Sequence, residues 1–202
     1  MILLCSNGLS SEKLLSCLAE KTAACRSAAL VVTADHEYKE KNYHVPRCIA
    51  ELETLHLRVD TFDLDTQPPQ QLLSYDVVEF IGGNPYYLLN AIRTRGAAAV
   101  LKDIAAHRIL IGWSAAAFVL SPTLELVDRY SSGMNFLGMS NLTGLALTDV
   151  EVLPHYQKYL KRFEHFEETC AAYERERHTH VIRISDGEGV FIENGDVRIC
   201  RL

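Results

Sequence analysis

Hydrophobic positions along the chain fall into two alternating rhythms. Short apolar or β-branched runs at Ile2–Cys5, Ala29–Thr33, Leu57–Leu64, Val77–Ile81 and Arg108–Gly112 read as strands. Several of these runs are apolar nearly throughout, the pattern of strands covered on both faces. Between them, Glu12–Cys25, Lys41–Leu55, Tyr86–Arg95 and Ala97–His107 repeat apolar residues at helical spacing. The resulting β-α-β-α-β order predicts a parallel sheet joined by right-handed crossovers. Punctuation agrees with the rhythm: Gly82-Gly83-Asn84-Pro85 ends the fourth strand, with Pro85 able to open a helix and Gly96 to close it.

After Pro122 the rhythm changes. Tyr130–Thr148 is rich in Gly, Ser, Asn and Met without a period and reads as loop. Val150–Leu153 reads as a strand ending in Pro154-His155-Tyr156, and Tyr156–Arg177 as one charged amphipathic helix. His180–Ile184, Gly189–Ile192 and Val197–Cys200 read as closing strands, with Asn194-Gly195 marking a hairpin between the last two. No repeat or linker interrupts residues 1–202, which predicts a single α/β domain.

Composition narrows the function classes. Hydrophobic residues at 48% and charged residues at 23% suit a globular chain and exclude a disordered or collagenous one. At 202 residues the chain is large enough to bury about 70% of its unfolded surface without a metal or disulfide staple. A net charge of -6 leaves no basic surplus to neutralise phosphates, so nucleic acid is not an expected partner. No apolar run reaches the length of a membrane span, and the N-terminus lacks the basic flank of a signal peptide. The six cysteines are scattered without metal-ligand spacing, which fits reduced thiols in the cytoplasm.

Ligands in open α/β sheets gather at the carboxyl ends of strands, and two such ends stand out. Ile109-Leu110-Ile111-Gly112-Trp113-Ser114-Ala115-Ala116-Ala117 places a Ser in a Gly-x-Ser-x-small turn between a strand and a helix. That is the arrangement of a nucleophile elbow, with Ala116 where a second glycine is usual. Ala115 would offer a backbone N–H to an oxyanion, and Gly83 and Asn84, after the preceding strand, would complete the oxyanion and substrate site. The bland alternatives are a Ser helix cap and a glycine-rich turn.

A Ser nucleophile needs a base. Among the eight histidines, His36, His44, His56, His107, His165, His178 and His180 read as surface residues, while His155 closes a strand. The acid that would orient it is open among Asp186, Glu188 and Asp128, because spacing does not choose between them.

Gly82-Gly83-Asn84, the Ser114 elbow, Leu153-Pro154-His155-Tyr156 and Asp186-Gly187-Glu188-Gly189-Val190 occur in an order and spacing similar to the aspartyl dipeptidase (dipeptidase E) family of serine peptidases, related to cyanophycinase. The resemblance implies a doubly wound, mostly parallel sheet with helices on both faces and a C-terminal hairpin, as in class I glutamine amidotransferases. It implies Ser114 as nucleophile, His155 as general base and Gly83 and Ala115 as oxyanion donors. It ranks Asp186 first as the acid, then Glu188, then Asp128. It implies no metal or cofactor and a small peptide as substrate. The stretch after His155 is shorter than in aspartyl dipeptidases, which hold an acidic side chain with basic residues near there. Lys158, Lys161 and Arg162 could serve or could be a solvated helix face. The rival expectation is an inactive binding or regulatory protein distorted by Ala116; an amidotransferase is disfavoured because the elbow holds Ser rather than Cys. A homodimer is compatible with such a sheet but has no sequence signature.

Overall fold

The computed structural model describes residues 1–202. Its main sheet holds strands β1 (Ile2–Cys5), β2 (Ser27–Val31), β3 (Arg58–Phe62), β4 (Val77–Phe80), β5 (Ile109–Trp113), β8 (Gly189–Glu193) and β9 (Asp196–Cys200) in the order β3-β2-β4-β5-β1-β8-β9. The first five pair in parallel, whereas β8 and β9 run antiparallel. Strand β1 is the seam: Leu4 pairs with Gly112 of β5 on one side and Val190 of β8 on the other.

Side-chain alternation sends successive residues to opposite faces, and each face has its own apolar core. Leu3 and Cys5 of β1 pack with Leu14 and Leu18 of α1 (Glu12–Thr22) and with Val45, Cys48 and Leu52 of α2 (Val45–Glu53). Ile2 and Leu4 face α3 (Pro85–Thr94), α4 (Ala98–His107), α5 (Ala115–Leu120) and α6 (Glu125–Ser131). The doubly wound, mostly parallel architecture with a terminal hairpin is therefore present. No helix is long and apolar enough to cross a membrane.

Three local expectations change. The stretch read as one helix at 156–177 is two, α7 (Tyr156–Arg162) and α8 (Phe166–Arg177), separated by extended Phe163 and left-handed His165. Rings of Tyr130, Tyr159, Phe163 and Phe166 cluster at the break, with centroids 5.0–5.8 Å apart, so apolar packing turns the chain where charge patterning alone would let the helix run. Helix α6 reaches Ser131, two residues into the expected loop. Strand β7 (Val181–Arg183) leaves the main sheet and pairs in parallel with β6 (Glu151–Leu153), so the chain segments bearing His155 and Asp186 emerge side by side.

Candidate active site

Strand β5 ends against α5 with almost no room between them. A Cβ built on Gly112 would lie 2.7 Å from Leu120 Cδ1 and 3.3 Å from Ala116 Cβ. The glycine on the strand therefore makes the space that a glycine at 116 would otherwise supply, and the Ala116 methyl is fully buried there. Ser114 sits at φ 54°, ψ −113°, a backbone region that costs an ordinary residue on the order of 1–3 kcal/mol. Its N–H donates to the Cys5 carbonyl at 3.1 Å, which fixes the turn to β1. The side chain makes no helix-capping bond; Ser114 is not a cap.

The Ser114 hydroxyl instead lies 3.0 Å from His155 Nε2. His155 follows β6 and Pro154, adopts a left-handed backbone (φ 57°) and begins α7. Its Nδ1 is 2.7 Å from Asp186 Oδ1. A carboxylate partner at Nδ1 makes that nitrogen the donor, so the neutral ring leaves Nε2 free to accept the serine proton. Burial pushes the imidazole below its usual value of 6.5; Asp186 opposes that shift and Lys158 reinforces it.

Asp186 is held from three sides. Lys158 Nζ reaches Oδ2 at 2.5 Å, and the Ser6 hydroxyl donates to Oδ1 at 2.8 Å. Burial acts to raise the Asp186 carboxyl, but the bonds from Lys158, Ser6 and His155 outweigh it and leave it below the ordinary range. Ser6, fully buried just past β1, also accepts from the His155 backbone N–H at 2.8 Å. One hydroxyl thus ties His155 and Asp186 to the centre of the sheet.

The other two acids lie elsewhere. Asp128 accepts from the Tyr86 hydroxyl at 2.8 Å within α6, and Glu188 accepts from Ser185 N–H at 2.8 Å and Arg201 Nη1 at 3.1 Å. Glu188 shapes the turn that presents Asp186 rather than facing the imidazole.

Ala115 follows Ser114 in the turn, and Gly83 lines the same cleft as Ser114. Gly83 takes φ 152°, and a Cβ there would come within 2.3 Å of the Ala34 carbonyl oxygen, so only glycine fits. Asn84 differs from its expected binding role. Its Oδ1 accepts from Tyr86 and Tyr87 N–H, capping α3, and its Nδ2 donates to the Met134 carbonyl. It contributes wall rather than a free amide.

These groups open on a cleft of about 520 Å³ whose lining includes Asn7, Asp35, Tyr38, Tyr43, Trp113 and Ser114. His36 and His44, read as surface residues, also line it. His44 packs edge-on against Trp113 at 5.5 Å, and burial, then Arg47, keeps it below its usual value. Ser6 and His44 carried no sequence signal, since their positions depend on pairings across more than a hundred residues and on the fold of the 35–44 segment. Lys158 was visible as a cation after His155, but it turns to Asp186 rather than lying free for substrate. Lys161 and Arg162 are exposed on α7, outside the cleft.

Comparison with known proteins places the chain in a family. The chain is 28% identical over 169 residues to an uncharacterized peptidase of Listeria monocytogenes, covering 81% of each. It is 32% identical over 110 residues to one of Listeria innocua, covering 52% of this chain and 53% of that protein. It is 27% identical to Peptidase E of Escherichia coli over 74% of this chain and 63% of that protein. The fold superposes on the crystal structure of a candidate peptidase E protein from Listeria monocytogenes with a TM-score of 0.81, at 24% identity, covering 100% of this chain and 98% of that one. A peptidase from an acI-B1 Actinobacterium aligns at TM-score 0.63 and 18% identity, over 94% and 81% of the two chains. The family model for peptidase family S51 matches residues 2–200, and the chain belongs to that family.

Proposed function

We propose that the protein is a serine exopeptidase acting on short peptides, with Ser114, His155 and Asp186 as its catalytic triad. The observation carrying this reading is the continuous contact chain from the strained Ser114 hydroxyl through His155 to Asp186. Ser114 attacks the scissile carbonyl while His155 Nε2 takes its proton, and Asp186 stabilises the imidazolium and holds the ring. The Gly83 and Ala115 N–H groups receive the developing oxyanion. His155 then protonates the leaving amine, and water resolves the acyl-enzyme by the same route. The cleft volume suits a small peptide, and the relatives named Peptidase E favour a dipeptidase.

An inactive scaffold is less well supported, because the Ala116 methyl has a place against Gly112. The test is hydrolysis of a dipeptide panel by wild type and Ser114→Ala, with fluorophosphonate labelling in parallel. Cleavage and labelling are expected in wild type and lost in Ser114→Ala without loss of fold. Undiminished turnover by Ser114→Ala, or an unlabelled and inactive wild type, overturns the mechanism.

A further inference from the structure

The charged groups in and beside the cleft divide into cations that are engaged and one carboxylate that has no counter-ion. Its cations are engaged within the protein: Lys158 pairs with Asp186, and the nearby Arg47 pairs with Glu51 at 2.8 Å and donates to the Asn7 carbonyl at 2.9 Å. Asp35 is the converse. Its carboxylate lines the cleft and accepts only from neutral donors, namely Glu37 N–H and Tyr38 N–H at 3.2 Å each and Asn42 Nδ2 at 2.5 Å. It has no ion-pair partner. Even Lys39, whose backbone N–H donates to the Asp35 carbonyl, turns its ammonium away to Asp63 and Asp65.

Asp35 is also held firmly. Its backbone N lies 2.8 Å from where a Gly83 Cβ would stand, so the residue abuts the oxyanion candidate. Beside it in the cleft are the rings of Tyr38 and Tyr43, 56% and 81% exposed, whose faces attract cations.

We infer that Asp35 makes this cleft a receptor for a cationic substrate group, either the free α-ammonium of a peptide or a basic side chain, and disfavours an acidic one. This rests on the cleft being the substrate site of the proposed peptidase. A fixed carboxylate flanked by aromatic faces gains a charge-assisted bond from an incoming ammonium, whereas a substrate carboxylate would meet like charge and no unengaged cation.

The test uses calorimetric binding to Ser114→Ala protein, which separates recognition from turnover. Leu-Ala is compared with N-acetyl-Leu-Ala, N-acetyl-Lys-Ala with N-acetyl-norleucyl-Ala, and Leu-Ala with Asp-Ala. A preference of about tenfold or more for the free amine in the first pair assigns the α-ammonium. The same preference for Lys in the second pair assigns the side chain. Leu-Ala is expected to bind more tightly than Asp-Ala. Adding Asp35→Asn, which retains Oδ1 for the Glu37 and Tyr38 amides, should erase whichever preference is found. Equal binding within both of the first two pairs, tighter binding of Asp-Ala, or a preference unchanged by Asp35→Asn overturns the inference. Should Asp35→Asn fail to fold, the peptide pairs on the Ser114→Ala parent decide alone. Fluorophosphonate labelling of wild type reports the peptidase reading separately: labelling without charge preference overturns only the inference, and charge preference without labelling overturns only the peptidase.

Discussion

The Ser6 hydroxyl both donates to Asp186 and accepts from the His155 backbone N–H, which makes it a positioning residue for the proposed triad. Removing it leaves a buried N–H unpaired and a carboxylate one bond short. Ser6→Ala should therefore lower kcat about 10–100-fold, the equivalent of roughly 1–3 kcal/mol, with a smaller change in KM. Steady-state kinetics check this; a KM-only effect would argue against the role. The imidazole titration gives a second expectation. A general base must be neutral, and burial lowers the His155 value, so kcat/KM should rise with pH along a limb lying below 6.5. Lys158 disfavours the imidazolium, so Lys158→Gln should move that limb to higher pH. A limb that stays in place or moves down would show that Lys158 does not act on His155. At this scale local motifs pointed to Ser114 and His155, which lie 3.0 Å apart, whereas spacing left the acid open among Asp186, Glu188 and Asp128 and only the family resemblance ranked Asp186 first. The sequence was silent on Ser6, whose neighbours in the chain reveal nothing about contacts 149 and 180 residues away.

Strands and helices of the first two-thirds were legible because both rhythms are local. Boundaries moved by a few residues, as where the helix expected from Lys41 begins at Val45. The break between α7 and α8 was not legible, since Phe163 turns toward aromatic partners that include Tyr130, distant in sequence. Helix α8 is fastened to β7 by Arg183, which reaches Glu174 at 2.6 Å and Glu167 at 2.8 Å and leaves a side chain only 18% exposed. Arg183→Ala removes the ion pairs to both carboxylates, though Glu174 keeps its bond from Val181 N–H, and should cost about 2–3 kcal/mol of stability. Denaturant titration measures the loss. Because β7 pairs with the strand leading to His155, the same variant should also lower activity at temperatures well below unfolding.

For the whole molecule, the central sheet buries one carboxyl without a partner. Glu79 of β4 is fully buried toward the α1–α2 face, and neither oxygen finds a hydrogen bond. Burial, then the nearby Glu51 carboxylate, raises it to about 8 from 4.5. The folded state thus holds this proton more tightly than the unfolded chain does. Stability from this group is greatest below about pH 4.5 and declines as pH rises to about 8, where the penalty levels off. Glu79→Leu should therefore raise the melting temperature, by a margin that widens from pH 5 to pH 8. A margin independent of pH would assign the gain to packing alone. The sequence marked Val77–Ile81 as a buried strand, but the cost of one acid within it depends on which helices cover that face.

Strand order was the least legible property of the sheet, and the central place of β1 has a kinetic meaning. Strand β1 pairs with β5, where Leu3 meets Ile111, and with β8, where Leu3 meets Phe191, so both of its neighbours are distant in sequence. Such sequence-distant pairing closes the largest loops and tends to form late. Ser6 lies just past this seam, Ser114 is tied to it through Cys5, and Asp186 arrives immediately before β8. The contacts joining Ser114, His155 and Asp186 therefore come together only once the sequence-distant pairings of β1 have formed. Topology thus ties the assembly of the candidate site to the slowest pairings of the sheet.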